Sequence, residues 1–280
     1  MTAVNLILRA RGFTLIELAV VFAIVGLALG SLFFTLAAQT EQRMFEETRR
    51  RLEQARELLL AFAVVNGRLP CPARHASAAS HSQGLESFCS AAASPCPGTE
   101  TTAPQTHGHC SNAFDGFVPA ASLGITAVDS SGFATDAWGN RLRYAVTRKN
   151  ASGTCTVSPP SSSTPIVTSS PNLKAYGIAC QPADLLICRS ASGITTSDCG
   201  PTANAIMTTS TVVAVVFSTG RNGARGAGGA DEAANLNGDA IFVSHPPAPA
   251  GAPNGEFDDQ LTWLSIGELY GKLVSAGVLP

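Results

Sequence analysis

Charged residues are scarce in this chain of 280 residues: they make up 14% of it, against 45% hydrophobic residues, and the formal net charge is −2. No cluster of Lys and Arg occurs after residue 56. Proteins that bind nucleic acid usually show a basic patch, so the composition predicts no nucleic-acid partner. The length allows one or two domains.

The sequence also lacks the common motifs of enzymes. Residues 220–229 are rich in glycine, but they do not end in the Lys-Ser or Lys-Thr of a phosphate-binding loop. No Gly-x-Ser-x-Gly nucleophile elbow occurs, and no acid–base constellation stands out. We therefore predict that the protein is not an enzyme.

Cysteine is absent before residue 71, and no Cys-x-x-Cys pair occurs, which disfavours a zinc site. The eight cysteines are Cys71, Cys89, Cys96, Cys110, Cys155, Cys180, Cys188 and Cys199. An even number in a stretch rich in Ser, Gly and Pro predicts disulfides formed in an oxidising compartment. Nearness in sequence favours the pairs Cys89–Cys96, Cys188–Cys199, Cys71–Cys110 and Cys155–Cys180. His107 and His109 beside Cys110 could suggest a transition-metal site, but a disulfide at Cys110 favours an ordinary loop.

Residues 18–38 carry no charged side chain. As an α-helix rising ~1.5 Å per residue, they would span about 30 Å, the thickness of the hydrocarbon core of a bilayer. Arg9 and Arg11 precede them, which predicts a cytoplasmic N-terminus by the positive-inside rule. A cleaved secretory signal is the alternative, but the apolar run is longer than such signals and passes directly into a charged helical segment.

Glu17 stands at the edge of this apolar segment, where a carboxylate is costly unless it is paired. The residues around it, 11–18, read Arg-Gly-Phe-Thr-Leu-Ile-Glu-Leu and resemble the N-terminal signal of type IV prepilins and type II secretion pseudopilins. The resemblance implies that a prepilin peptidase cuts between Gly12 and Phe13 and then methylates the new amine on Phe13. Residues 1–12 would be a cytoplasmic leader peptide.

The resemblance also implies a role for Glu17 in assembly. Cleavage leaves a positive amine on Phe13, which Glu17 of a neighbouring subunit can neutralise when the helices stack. Two buried charges are tolerable as a pair, whereas either one alone is strongly destabilising. The alternative is that Glu17 merely extends to the membrane surface. The expected partners are prepilin peptidase, other pilins or pseudopilins through the N-terminal helix, and an assembly platform in the inner membrane.

Beyond the apolar segment the helical pattern continues but becomes amphipathic. Asn66 and Gly67 form a helix stop signal. The sequence thus predicts one helix over residues 13–66, transmembrane over 13–38 and amphipathic over 39–66. The resemblance implies the pilin fold, an α+β fold in which the second half of this long helix packs on an antiparallel sheet.

Residues 67–280 are predicted to form a periplasmic globular head. Two stretches, at about 76–113 and 151–172, lack periodicity and are rich in Ser and Pro, so we interpret them as loop insertions pinned by disulfides. Alternation and turn signals predict the remaining elements. Strands are expected over residues 142–147, 175–179, 185–187, 211–218, 240–243 and 260–264, and a short C-terminal helix from Ser265, with Glu268 completing a capping box, to about residue 276.

Turns at residues 136–140 and 217–223 resemble those of the major pseudopilins, and residues 257–265 resemble a C-terminal pattern of minor pilin-like proteins. In major pseudopilins the loop after the second turn binds calcium. The corresponding oxygen ligands here would be Asp231, Asn235, Asn237 and Asp239. The alternative is a turn rich in Asn and Asp without a metal.

These features predict a structural subunit of a type IV pilus or a type II secretion pseudopilus. Before assembly it would lie in the bacterial inner membrane with its head in the periplasm. The chain is longer than major pseudopilins, which favours a minor or tip subunit. Two alternatives stay open: a tip adhesin or DNA-uptake pilin that binds a ligand through its head, although the near-neutral head argues against DNA, and a periplasmic enzyme on an uncleaved anchor.

Overall fold

The computed structural model describes residues 14–74, 84–92, 96, 99–150, 164–226 and 228–279, and does not describe the side chains of residues 29, 31–38 and 225. The chain divides into two units, Met1–Phe45 and Glu46–Pro280. The boundary lies inside the first helix rather than at its end. The second part of that helix therefore belongs to the head.

Helix α1 covers Leu15–Asn66, a length of 52 residues. At its start the Glu17 N–H donates to Thr14 Oγ1 over 3.3 Å, the bond of a side-chain helix cap. At its end Gly67 has a φ of 64°, and its N–H donates to the Ala63 carbonyl over 2.8 Å. A left-handed glycine is the usual way to end a helix, and the predicted stop at Asn66-Gly67 is confirmed.

Among the residues that the structure describes, no helix combines the length and the apolarity required to cross a membrane. The transmembrane segment predicted over residues 13–38 is not confirmed by this finding and stays a prediction. The side chains of residues 29 and 31–38 lie outside the described ones.

The head contains short strands and short helices. The strands among the described residues are β1 (Phe88–Cys89), β2 (Glu100–Thr101), β3 (Gly116–Phe117), β4 (Arg143–Val146), β5 (Leu186–Cys188), β6 (Ala205–Met207), β7 (Val212–Ser218), β8 (Ile241–Val243) and β9 (Gln260–Ser265). The helices after α1 are α2 (Ala120–Leu123), α3 (Ser170–Tyr176), α4 (Ala230–Asn235) and α5 (Ile266–Ser275).

These strands form three sheets. The largest is antiparallel throughout, with the order β3-β4-β7-β9, and a pair β1-β2 is separate from it. The third sheet has the order β6-β5-β8, and its β5–β8 pair is parallel. The predicted α+β class with antiparallel sheets and disulfides is confirmed, and the parallel pair is an addition to it.

Strand β7 is the central strand of the core, and all seven of its residues are buried. From Ala214 to Phe217 its side chains alternate between two layers, as a strand buried on both faces requires. Val216 packs in a cluster with Leu52 and Leu59 of α1, whereas Phe217 packs with Phe242 of β8 on the opposite face. The head thus has three layers: the second part of α1, the four-stranded sheet and the smaller mixed sheet.

One predicted strand is wrong. Residues 175–179 end helix α3 and continue into a 3-10 turn, Gly177–Ala179. The start of α3 explains why: Ser169 accepts from the Asn172 N–H over 3.3 Å, and Pro171 occupies the first turn. A serine cap followed by proline is a helix-start signal, and here it prevails over the weak strand pattern that follows it.

The interpretation of residues 76–113 as a loop outside the core is also wrong in part. Phe88 and Cys89 form strand β1 and are 0% and 1% exposed. Glu86, just before them, is 5% exposed. This part of the insertion therefore belongs to the core. Its neighbours are small and polar, so the sequence shows no apolar periodicity that would predict a buried strand.

An arginine joins α1 to the end of the chain. Arg56 Nη2 lies 2.5 Å from both carboxylate oxygens of Glu268, and its Nε donates to the Trp263 carbonyl over 3.0 Å. Glu268 also donates its N–H to Ser265 Oγ over 3.2 Å, so the predicted Ser265 cap of the C-terminal helix is confirmed. The Glu268 carboxylate binds Arg56 instead of completing the predicted capping box.

Replacing Arg56 with Met keeps most of the apolar stem and removes these bonds. Because a charge-assisted pair of this kind contributes more than a neutral hydrogen bond, we expect a loss of about 1–3 kcal/mol in the free energy of unfolding. Urea unfolding measures it. An Arg49→Met variant removes a more exposed pair with Glu46 and should lose less than about 1 kcal/mol; equal losses would contradict the assignment.

Candidate functional site

The first described turns of α1, within the unit Met1–Phe45, are apolar on all sides. Large hydrophobic side chains there are between 45% and 89% exposed: Leu15, Ile16, Leu18, Val20, Val21, Phe22, Ile24, Val25 and Leu27. At about 100° per residue these positions surround the helix. A helix that is hydrophobic all round is normally covered by lipid or by protein.

Glu17 is the one acidic residue of the first turn of α1. Its side chain is exposed, and among the described residues its carboxylate has neither a hydrogen-bond donor nor a basic partner. Position alone favours an acid here, because the N-terminus of a helix carries partial positive charge. The predicted processing residues Gly12 and Phe13 lie outside the described residues.

A second candidate site lies at the end of the four-stranded sheet, where two predicted turns meet. Asp136 is 1% exposed and accepts from the Asn140 N–H over 2.8 Å and from Ser218 Oγ over 2.6 Å. Asn140 Nδ2 donates to the Gly220 carbonyl over 2.5 Å. Burial raises the pKa of Asp136, although these donors oppose the rise. The two turns therefore form one hydrogen-bonded unit.

Gly220 shows how tightly this unit is packed. Its φ is +63°, and a Cβ at this position would overlap the side chain and the carbonyl of Asp258. Only glycine allows this approach without strain. The turn after β7 is thereby pressed against the residues that lead into β9.

Three buried carboxylates gather behind this turn: Glu232, Asp258 and Asp259 each offer an oxygen within 4.8 Å of the others. Glu232 accepts from Asn222 Nδ2 over 3.0 and 3.1 Å and from the Asp258 N–H over 2.8 Å. Asp259 Oδ2 accepts from Asn235 Nδ2 over 2.7 Å. We call these three residues the carboxylate group.

The carboxylate group carries an excess of buried negative charge. Burial, followed by the neighbouring Glu232, raises the pKa of Asp258 to about 6, and burial above all raises the pKa of Asp259 to about 8. Asp258 Oδ1 is buried and has no hydrogen-bond partner among the described residues. An unsatisfied buried carboxylate oxygen beside two further carboxylates suits a hard cation. Glu232, Asp258 and Asp259 thus fit calcium, which would supply the missing positive charge.

The residues predicted for calcium are placed differently. Asp231 lies on α4 and accepts from the Ala191 N–H over 2.5 Å and from His245 Nε2 over 3.1 Å. Asp239 accepts from its neighbour Asn237 over 2.7 Å within a turn. Of the four, Asn235 is the one that touches the carboxylate group. The predicted ligand set did not include Glu232, Asp258 or Asp259, although residues 257–265 were singled out for another reason, and calcium binding stays a prediction.

Comparison with known proteins agrees with the first candidate site. Residues 7–33 match the family described as Prokaryotic N-terminal methylation motif. The chain carries a prepilin-type signature. This signature is that of type IV pilins and pseudopilins, and it confirms the resemblance drawn from residues 11–18. No curated protein and no solved structure matches the chain.

The head of this chain contains disulfide bonds, as the sequence predicts. The structure contains Cys71–Cys110, Cys89–Cys96 and Cys188–Cys199, which are three of the four predicted pairs. Cys180 is also disulfide-bonded, and Cys155, its predicted partner, lies outside the described residues. Disulfides of this number are typical of proteins that fold in an oxidising compartment.

A transition-metal site at the two histidines is disfavoured by geometry. Cys110 is in a disulfide, so it offers no thiolate. His107 Nδ1 accepts from the His109 N–H over 3.0 Å, which places the proton of a neutral His107 on Nε2. The His107–His109 stretch is therefore better interpreted as a loop.

Proposed function

We propose that this chain is a structural prepilin-like subunit of a type IV pilus or of a type II secretion pseudopilus. The observation that carries the proposal is the prepilin-type signature at residues 7–33, which leads directly into a helix with exposed apolar side chains all round. The fold fits this function, because the second part of α1 packs in the head. The proposal assigns no catalytic role to the chain.

In this proposal the first part of α1 is covered by lipid before assembly and by protein after it. It lies in the inner membrane before assembly, with the N-terminus in the cytoplasm and the disulfide-bonded head in the periplasm. In the filament it is covered by the same helices of other subunits. Exposed apolar area of this extent in water would promote association. Both the membrane and the filament keep these apolar side chains away from water.

Glu17 then acts between subunits. Prepilin peptidase cuts between Gly12 and Phe13, and the Glu17 carboxylate of one subunit pairs with the Phe13 amine of its neighbour. The support for this is that Glu17 lies in the first turn of α1 and has no basic partner among the described residues of its own chain. A buried amine without a counter-ion is strongly unfavourable, so the pair would fix the axial position of each incoming subunit.

The proposal predicts the outcome of two measurements in cells with an active prepilin peptidase. Mass spectrometry of the N-terminus should find a chain that begins with N-methylated Phe13. Glu17→Gln should reduce the amount of chain in sheared filaments or cross-linked pseudopili about 100-fold or more, because one unpaired buried charge costs about 3–5 kcal/mol.

The matched control is Glu46→Gln, which removes an exposed acid on the same helix and should leave incorporation unchanged. Membrane levels of both variants are compared so that loss of the protein is not mistaken for loss of assembly. An intact Met1, or full incorporation of Glu17→Gln, would show that the chain is not assembled in this way.

A further inference from the structure

A turn in the first of the two insertions carries two histidines. Residues 105–109, which we call the histidine turn, are closed by a bond of 3.1 Å from the Gly108 N–H to the Gln105 carbonyl. The ring centroids of His107 and His109 lie 5.3 Å apart. The histidine turn lies outside the carboxylate group and outside the N-terminal signature.

The histidine turn is bonded to the start of helix α3. Thr168 Oγ1 donates to the Gly108 carbonyl over 2.7 Å, and Ser169 Oγ donates to the Thr106 carbonyl over 2.6 Å. Thr168 and Ser169 are 1% and 0% exposed. Gly108 has a φ of +71°, and a Cβ there would lie 2.8 Å from Ser169 Cβ. The turn therefore packs closely on the residues that begin α3.

On its other side the histidine turn is attached to strand β1. The His109 carbonyl accepts from the Cys89 N–H over 2.9 Å. The next residue, Cys110, is joined to Cys71 by a disulfide. Because the disulfide is covalent, the contact with α3 is the one that can open and close reversibly.

The turn fits only the neutral form of His107. Its Nδ1 accepts from the His109 N–H over 3.0 Å, so this nitrogen carries a lone pair and not a proton. Its Nε2 is buried and has no hydrogen-bond partner in the described part of the chain. A protonated imidazole donates from both nitrogens. One of these donors would face another N–H here, and the other would have no acceptor.

The surroundings also oppose a positive charge on either ring. Burial lowers the pKa of His107, and burial followed by the neighbouring His107 lowers the pKa of His109. Two protonated rings at 5.3 Å would repel each other.

The charged groups of the adjoining elements offer the histidines no free carboxylate. Glu86, which precedes β1, is paired with Arg68, and Glu100 of β2 is paired with Arg74. Lys174 is the charged residue of α3 and is itself positive. A proton added to the histidine turn would therefore remain without a counter-ion.

We propose that the histidine turn is a pH switch that holds the start of α3 at neutral pH and releases it in acid. Protonation of His107 removes the acceptor of the His109 N–H, and the two charged rings then repel each other. The turn separates from Thr168 and Ser169 while the disulfide at Cys110 keeps it attached to β1. The switch acts within the head and is independent of the proposed assembly through α1.

The direction of the pH dependence follows from the lowered pKa values. A histidine in the open turn binds a proton more readily than one in the closed turn, so protons favour the open state. The closed state is at its most stable above about pH 6.5, the pKa of an exposed histidine, and loses stability as the pH falls below this value. Asp258 and Asp259, whose pKa values are raised, act in the opposite direction. A loss of structure in acid therefore cannot come from the carboxylate group.

The test is amide hydrogen exchange of the full chain in detergent micelles with EDTA, measured by mass spectrometry at about pH 7.5 and about pH 5. Ordinary carboxylates stay ionised at both values. Exchange rates are divided by those of an unfolded peptide at the same pH. Protection of the Gly108 and Leu173 amides, in the turn and in α3, should fall about tenfold or more at the lower pH. Amides of strand β7 should keep their protection.

His107→Asn and His107→Leu form a matched pair of variants. The asparagine Oδ1 can replace Nδ1 as the acceptor of the His109 N–H, and its amide does not titrate, so His107→Asn should stay protected at both pH values. His107→Leu has no acceptor and should show low protection at both. Mass spectrometry of the intact chain checks that each variant forms its disulfides. Glu17→Gln should respond to acid as the unchanged chain does, which separates the switch from the proposed assembly.

Three results would overturn the proposal. The first is equal protection of the turn at the two pH values in the unchanged chain. The second is an acid response of His107→Asn as large as that of the unchanged chain. The third is a parallel loss of protection in β7, because acid would then act on the whole head and not on the histidine turn.

Discussion

Glu86→Ala is expected to lower the free energy of unfolding of the head by about 3–5 kcal/mol, the usual effect of breaking a buried ion pair from one side. Glu86 and Arg68 are both almost fully buried, with relative exposures of 5% and 7%. Two bonds of 2.6 and 3.1 Å join the guanidinium of Arg68 to the carboxylate. Removing the carboxylate leaves a positive charge in the core without its partner.

The surroundings of this pair add to the expected loss. Glu86 Oε2 also accepts from the Cys71 N–H over 2.9 Å, so the variant strands a backbone donor as well. The Arg68 guanidinium lies 5.3 and 5.2 Å from the ring centroids of Phe62 and Phe88, which favours the cation but does not replace the hydrogen bonds. The pair thus joins the end of α1 to strand β1.

Urea unfolding of the full chain in detergent, followed by the fluorescence of Trp138 and Trp263, measures the loss. Glu46→Ala is the control, because it removes the acid of an exposed pair and should change stability by less than about 1 kcal/mol. The double variant Arg68→Met with Glu86→Leu should recover part of the stability, since apolar residues of similar volume can replace a buried pair, although the Cys71 N–H stays without its acceptor. A loss below about 1 kcal/mol in Glu86→Ala would contradict this account.

The parts of the molecule that the sequence predicted well depend on local signals. The stop of α1 at Asn66 and Gly67 and the cap of α5 at Ser265 follow from one or two residues and their neighbours. Strand β7 was predictable because its apolar run is long enough to be buried on both faces. In each case the residues that determine the helix end or the strand are neighbours in the sequence.

The parts that it missed depend on residues that are distant in the chain. Arg68 and Glu86 are 18 residues apart, and nothing in either segment indicates that their side chains meet. The carboxylate group joins Glu232 of α4 to Asp258 and Asp259, which are 26 or more residues further on. Which face of α4 turns towards β9 is decided by packing, so the sequence did not indicate that Glu232 would meet Asp258 and Asp259.

The second large effect is a dependence of stability on pH that arises from the carboxylate group. The pKa of Asp259 is about 8 in the folded head, against about 3.9 for aspartate in an unfolded chain. Between these values the unfolded state has lost a proton that the folded state keeps, so stability falls as the pH rises from about 4 to about 8. Asp258, with a pKa of about 6, acts in the same direction.

Asp259→Asn removes the carboxylic acid, but the amide oxygen of the new side chain can still accept the hydrogen bond from Asn235 Nδ2. We expect this variant to be about 2–5 kcal/mol more stable than the unchanged chain at about pH 8 in EDTA, and nearly equal to it at about pH 4. Glu57→Gln, which removes an exposed acid, should show no such gain. Urea unfolding across this pH range measures the difference, and a variant that is less stable at pH 8 would contradict the reasoning.

The same urea unfolding experiment, repeated with calcium instead of EDTA, tests whether the carboxylate group binds the ion. If the ion binds Glu232, Asp258 and Asp259, its charge favours the ionised carboxylates, and millimolar calcium should raise the stability of the unchanged chain most at about pH 8. The effect should weaken as the pH falls and protons compete for the same oxygens. Asp259→Asn should respond less. A gain from calcium that is equal in the two proteins would place the ion elsewhere, whereas the effect of Asp259→Asn in EDTA does not depend on any metal.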